Sequence, residues 1–209
     1  MIDEIGIERE YFLVDKKGQI IEPKLFGFPY DEFGFLVEIR TRPHISTKML
    51  MDELMKLIEV HSAQAKALDF ELKLLNAMKL KSSFLKYLSE KYSYSHLKDL
   101  TANVYPKVAV THATGLDTKK GYGTAGCHIH FSRKTLDGRQ RVQLPIIKIV
   151  YAFDARFNRE IALANRMAGE YEIKPHGFEY RSLPATINIF SAVEFGFMLL
   201  ERDRRGLLI

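Results

Sequence analysis

The sequence predicts an α+β fold: one mainly antiparallel sheet, with helices packed on one of its faces and the other face open for a site. Two observations point there. Segments 4–14, 35–41, 124–132 and 178–183 are short and mix apolar with polar residues at a period of two, as strands do. Segments 47–69, 143–165 and 187–202 are longer and repeat their apolar residues at helical spacing. The 209 residues fit a single domain, 1–209, with enough chain to bury a full core.

Each element has a local reason. In 4–14 Glu8 and Glu10 fall on one side and Ile7 and Tyr11 on the other, and the segment ends in an apolar run. Asp15-Lys16-Lys17-Gly18 then makes a turn, and Gln19 to Glu22 can return as a hairpin partner. Prolines and glycines in 23–34 predict a loop, and Phe35 to Thr41 a second strand closed by Pro43. Ser46 is placed to cap a helix over 47–69, whose Leu50, Leu54, Leu57, His61, Ala65 and Leu68 form one face. Phe70, Leu72 and Leu74 alternate with Glu71 and Lys73, so a strand follows. A short helix is expected near 83–91. The stretch Gly115 to Gly123 has the composition of a loop.

Composition narrows the class. Apolar residues make up 46% and charged residues 27%, and no run of apolar residues is long enough to span a membrane, so a soluble globular protein is expected. The N-terminal segment is acidic and has no apolar core of a secretory signal. Cys127 is the only cysteine, so no internal disulfide forms, which favours a reducing compartment such as the cytoplasm. The net charge of +5 is spread along the chain; small phosphate-bearing molecules account for it as well as nucleic acid does, and nucleic acid is not the expected partner.

Four strand segments carry polar residues where a structural strand has no need of them. Glu8 and Glu10 are two apart, so both point to one face of the first strand. Their charges repel unless a cation lies between them; a solvated edge would also tolerate them. Glu38 stands between Val37 and Ile39, and Arg40 or Arg42 could pair with it. His128 and His130 repeat the two-residue spacing, which suits metal or phosphate contact as well as a polar surface. Glu179 and Arg181 form a third same-face pair, which alone would read as a salt bridge. Together Glu8, Glu10, Glu38, His128 and Glu179 offer oxygen-dominated ligands, better suited to Mg²⁺ or Mn²⁺ than to structural zinc. Arg181, His130 and Arg166 offer positive charge for phosphate.

Other schemes lack their residues. The sequence contains no phosphate-binding loop of the G-x-x-x-x-G-K-[ST] type, no helix-opening G-x-G-x-x-G and no G-x-S-x-G elbow. Cys127 adjoins His128, but neighbours in a strand face opposite ways, so Cys127 is expected in the helix-covered core.

The strings themselves resemble a known family. GIEREYFLVD resembles the opening strand of the glutamine synthetase and glutamate–cysteine ligase superfamily, where Gly-x-Glu-x-Glu-aromatic supplies metal ligands. FLVEIRTRP resembles its next acidic strand, and AGCHIHFS its Gly-x-His-x-His strand. KPHGFEYRSLP is similar to its Glu-x-Arg strand, most closely in the phage-type amidoligases. The four follow in order from residue 6 to 184.

The resemblance implies a glutamine-synthetase-like catalytic sheet and an ATP-dependent carboxylate–amine ligase working through an acyl phosphate. It further implies that Glu10 and Glu38 hold one Mg²⁺ or Mn²⁺, and that Glu8, His128 and Glu179 hold the other. His130 and Arg181 would contact the γ-phosphate or acyl phosphate, and Arg166 would also face phosphate. At Glu172 the chain departs from the pattern, which has an arginine there. The implied partners are a carboxylate and an amine, free or on a peptide, and a homo-oligomer. A guanido-kinase-like phosphotransferase and a catalytically inactive binding protein are the two competing readings. Since water would hydrolyse an acyl phosphate, a cover is expected, with 115–123 and 26–34 as candidates.

Overall fold

The computed structural model describes residues 1–31, 34–91, 101–105, 116–117 and 121–208. In chain order the elements are β1 (Ile2–Val14), β2 (Leu36–Arg40), α1 (Thr47–Ala67), β3 (Glu71–Lys73), β4 (Ala77–Lys79) and α2 (Ser82–Lys91). They continue with β5 (Thr101–Asn103), β6 (Leu116–Asp117), β7 (Tyr122–Thr124), β8 (Gly126–Lys134), α3 (Ile146–Leu163), β9 (Glu170–Lys174), β10 (Gly177–Pro184) and α4 (Ile189–Arg204).

The main sheet runs β2-β1-β8-β10-β9-β5, and β3 pairs with the far end of β1. Every pairing between described strands is antiparallel. The α+β expectation, with a mostly antiparallel sheet, therefore holds. The longest strand, β1, lies next to the edge strand β2. Its first half pairs with β8, from Ile2↔Lys134 to Arg9↔Cys127, and its second half with β2, from Glu8↔Arg40 to Phe12↔Leu36.

Alternation along the strands divides the two faces. Ile5, Ile7 and Leu13 of β1, Ile129 and Phe131 of β8, and Phe178 and Tyr180 of β10 are buried in one core. Leu50 and Leu54 of α1, Phe153 and Phe157 of α3, and Val193 and Leu200 of α4 close it. Each such side chain contributes about 1.5–3 kcal/mol on leaving water. Cys127 lies in this core, fully buried, and burial pushes its thiol up to about 12, which leaves it no role as a nucleophile.

The opposite face is open only in part. Phe12, Val14 and Leu36 turn to it, and a second apolar cluster covers them with Phe84 and Leu88 of α2, Phe35 and Met78. One helix therefore packs on the face that was expected to carry none. The rows of β1 from Glu4 to Glu10 remain polar. A three-stranded sheet, β4-β7-β6, accompanies this second cluster.

Local signals act as the sequence suggests. The Asp15 carboxylate accepts from the backbone of Lys17 (2.9 Å) and Gln19 (2.8 Å), closing the turn after β1. Ser46 accepts from the Met49 amide at 3.4 Å and caps α1. Among the described residues no helix is long and apolar enough to cross a membrane. The two candidate covers are described in part: residues 115, 118–120 and 32–33 lie outside the described residues, β6 and β7 lie in the small sheet, and Tyr30 bridges to Val37.

Candidate metal centre on the polar sheet face

Register brings the expected residues into adjacent rows. Glu8 stands opposite His128 on one side and Arg40 on the other. Glu10 stands opposite Glu38. His130 is flanked by Gly6 and Glu179, and Glu179 by Glu172. All of these point away from the helix-covered core, because the residues that alternate with them, Ile7, Ile129 and Tyr180 among them, take that side.

At the centre, the His128 Nδ1 lies 2.9 Å from Glu179 Oε1 and 3.4 Å from Glu8 Oε2. Glu8, His128 and Glu179 each offer a ligand atom, all within 4.8 Å of one another. Two ligands on one Mg²⁺ are at most about 4.2 Å apart, so closing this trio onto a single ion takes side-chain shifts of well under about 1 Å. His128 Nε2 is 4.0 Å from Glu10 Oε1, which places the Glu10–Glu38 row beside the trio. Glu10 also accepts from the Gly126 amide.

The site holds charge against burial. Glu179 is fully buried, and its Oε2 pairs with the Lys174 ammonium at 3.0 Å. Burial alone would raise the carboxyls of Glu8 and Glu179. His128 and His130 overrule it at Glu8, and His128 and Arg181 at Glu179, holding both well below the ordinary carboxylate range. For His128, burial and Arg181 oppose the proton, yet Glu179 and Glu8 keep it to about 9. Glu38 behaves oppositely: burial first, then Glu8, push its carboxyl up to about 8 despite Arg40.

Cations ring the acids. Arg40 Nε is 3.0 Å from Glu8 Oε1 and touches Glu38; Arg42 instead pairs with Glu53. Arg181 Nη1 lies 3.2 Å from Glu172 and touches Glu179, while Lys174 Nζ lies 2.7 Å from Glu172. His130 Nε2 is 3.1 Å from Glu8 Oε1, and its Nδ1 is 3.3 Å from His176 Nε2.

Arg166, expected to face phosphate, is engaged with the backbone. Its guanidinium donates to the carbonyls of Ser182 (3.3 Å), Ala125 (3.4 Å) and Arg181 (2.6 Å). It thereby braces the irregularity in β10, where the pairing with β8 shifts between Tyr180 and Leu183. Gly126 makes room for this: a Cβ there would lie 2.7 Å from Arg166 Nη2.

Lys174 and His176 join the same constellation without having been expected in it; Arg40, read from the sequence as a partner for Glu38, and Glu172, read as a departure from the family pattern, join it too. A signal for two of them existed: Glu172 and Lys174 have the two-residue spacing of the other pairs, in a segment not recognised as a strand. Comparison with protein-family models, curated proteins and solved structures finds no match to this chain.

Proposed function

We propose that the chain is an ATP-dependent carboxylate–amine ligase that works with divalent metal on the polar face of its sheet. The observation that carries the reading is the convergence of Glu8, His128 and Glu179 within 4.8 Å, beside the Glu10–Glu38 row. The donors fit a hard divalent cation: carboxylates dominate and one buried imidazole joins them.

In this reading Glu8, His128 and Glu179 hold one ion and Glu10 and Glu38 a second. Metal in this place would neutralise charge on the phosphates of ATP. Arg181 orients an anionic oxygen with its planar fork, which a lysine could not reproduce. His130, held between Glu8 and His176, contributes a donor to the same group. Arg166 fixes the Arg181 backbone, so its part is to position rather than to touch phosphate. The substrates would be a carboxylic acid and an amine.

The test is a product analysis. Purified protein, ATP and Mg²⁺ are incubated with a panel of acids and amines. A ligase gives ADP, phosphate and amide in equal amounts, and transfers oxygen-18 from the acid's carboxylate to phosphate. ADP with a stable phosphorylated product would instead mark a guanido-kinase-like phosphotransferase. Binding of nucleotide without turnover would mark an inactive binding protein.

A further inference from the structure

We propose that the cavity at the hairpin end of β1 binds a small organic phosphate, a phosphate group carried on an aromatic or apolar body. Lys17, Lys79 and Lys81 receive the phosphate, and Ile20, Phe84 and Tyr87 receive the body. The site is separate from the metal centre: Ile20 bridges to Val14, four residues and about 13 Å along β1 from Glu10. Binding there requires no metal.

The cavity has a volume of about 570 Å³, a size common among small-molecule sites. Three segments frame it: the turn after β1, the end of β4 and the first turns of α2. Each is held in place by the fold. Asp15 closes the turn on the amides of Lys17 and Gln19. β4 pairs with β7, and beyond it the Leu80 amide donates to the Gly121 carbonyl at 2.8 Å. Leu88, fully buried, and Phe84 anchor α2 in the second apolar cluster.

Charge points to an anion. No acidic residue lines the cavity, and among the described residues Lys17, Lys79 and Lys81 make no ion pair. The lysines around them do: Lys16 lies 2.7 Å from Asp69, Lys73 3.6 Å from Glu71 and Lys91 2.6 Å from Glu22. Three like charges on one concavity repel one another, and an anion among them removes that repulsion. A phosphate monoester brings nearly two negative charges and three acceptor oxygens, where a carboxylate brings one charge and two. Ammonium groups meet it as point charges, with no fixed fork to satisfy. α2 opens at Ser82, and Ser83 lies on the cavity wall, so the positive end of the helix adds to the same field. The remaining wall is apolar. Phe84 and Tyr87 lie nearly parallel, their ring centroids 6.2 Å apart at 22°, and Tyr87 is 39% exposed. A bare inorganic ion leaves this wall in water, whereas an aromatic body covers it.

The probe is phenyl phosphate, titrated into the whole chain in EDTA so that no metal contributes. Nitrogen-15 NMR maps its binding on the wild-type protein, with no substitution needed. Amide shifts should concentrate in 17–20, 79–81 and 83–87, and affinity should fall as salt is raised. Inorganic phosphate should bind at least about threefold more weakly, for want of the ring. The triple variant Lys17→Gln, Lys79→Gln, Lys81→Gln should bind phenyl phosphate about tenfold more weakly than wild type. All three lysines are exposed, so the variant should keep its melting temperature. Shifts centred on Glu8, His128 and Arg181, inorganic phosphate binding as tightly as phenyl phosphate, or a folded triple variant with wild-type affinity would each overturn the proposal. So would the absence of any shift at millimolar probe.

Discussion

Glu10 and Glu38 stand directly opposite each other across β1 and β2, two buried carboxylates in one register row. Like charges so placed are destabilising. The fold tolerates them because Glu38, its carboxyl pushed up to about 8 by burial and by Glu8, keeps its proton at neutral pH. Glu38→Gln preserves that neutral shape. The metal-free variant should melt no lower than wild type and gain up to about 1 kcal/mol, and Mg²⁺ should raise its melting temperature less. Thermal unfolding with EDTA and with Mg²⁺ checks both. A variant that unfolds would make Glu38 a structural residue.

The metal-free protein should lose stability as pH rises. Glu38 goes from an ordinary 4.5 to about 8, and His128 from 6.5 to about 9. Both groups bind their protons more tightly folded than unfolded. Their contributions are complete below 4.5 and 6.5 respectively, and are lost as pH climbs through 8 and 9. Glu8 and Glu179 are shifted downward, so their contributions are present above 4.5 and are lost only at lower pH. Urea unfolding in EDTA across about pH 5 to 9 should show the decline. Added Mg²⁺ should offset it increasingly toward the alkaline end, because bound metal displaces those protons. A flat profile in EDTA would contradict the assignment.

Arg166 and Arg181 are neighbours with different expected phenotypes. Arg166 joins three carbonyls, and lysine cannot reach all of them. Arg166→Lys should destabilise the fold by about 1–3 kcal/mol. Arg181→Lys keeps its charge beside Glu172 and Glu179. It should keep its melting temperature and lose activity about tenfold, about 1.4 kcal/mol of barrier. Paired melting curves and turnover rates separate the two, and an exchange of phenotypes would refute both roles.

The β9–β10 hairpin needs its glycine. Gly177 has φ +152°, and a Cβ there would lie 2.0 Å from the Phe131 carbonyl oxygen, a backbone atom that cannot yield. Gly177→Ala should cost more than about 3 kcal/mol and expose Glu179 and Lys174 to misregister. Soluble, native-like protein with unchanged Mg²⁺ affinity would contradict this.

Much of the fold is legible in the sequence, for reasons that can be named. Period-two alternation finds β1, β2, β8 and β10, and helical spacing with the Ser46 cap finds α1. Register then follows from which side is apolar, which is why the Glu8–His128 pairing could be anticipated as a shared face. The strand β9 alternates polar and apolar residues over Glu170 to Lys174, but it has only five residues and lies between Gly169 and the Pro175-His176-Gly177 turn, too short a stretch for its period to stand out. The strands of the small sheet have two or three residues each, too short for any period to register. A lone arginine after a helix carries no sign in the sequence of the carbonyls of Ala125, Arg181 and Ser182 that Arg166 meets in the structure. Arg40 was visible beside Glu38, yet only the strand register shows that it faces Glu8 as well.

The central claim is that this sheet face binds divalent metal and presents ATP through it. Crystals grown with Mn²⁺ and a non-hydrolysable ATP analogue test it directly through anomalous scattering at the manganese edge. The expected map has a peak ligated by Glu8, His128 and Glu179, with the triphosphate on the same ion and Arg181 turned toward it. A nucleotide bound elsewhere, or a polar face without manganese in crystals soaked to saturation, would contradict the account.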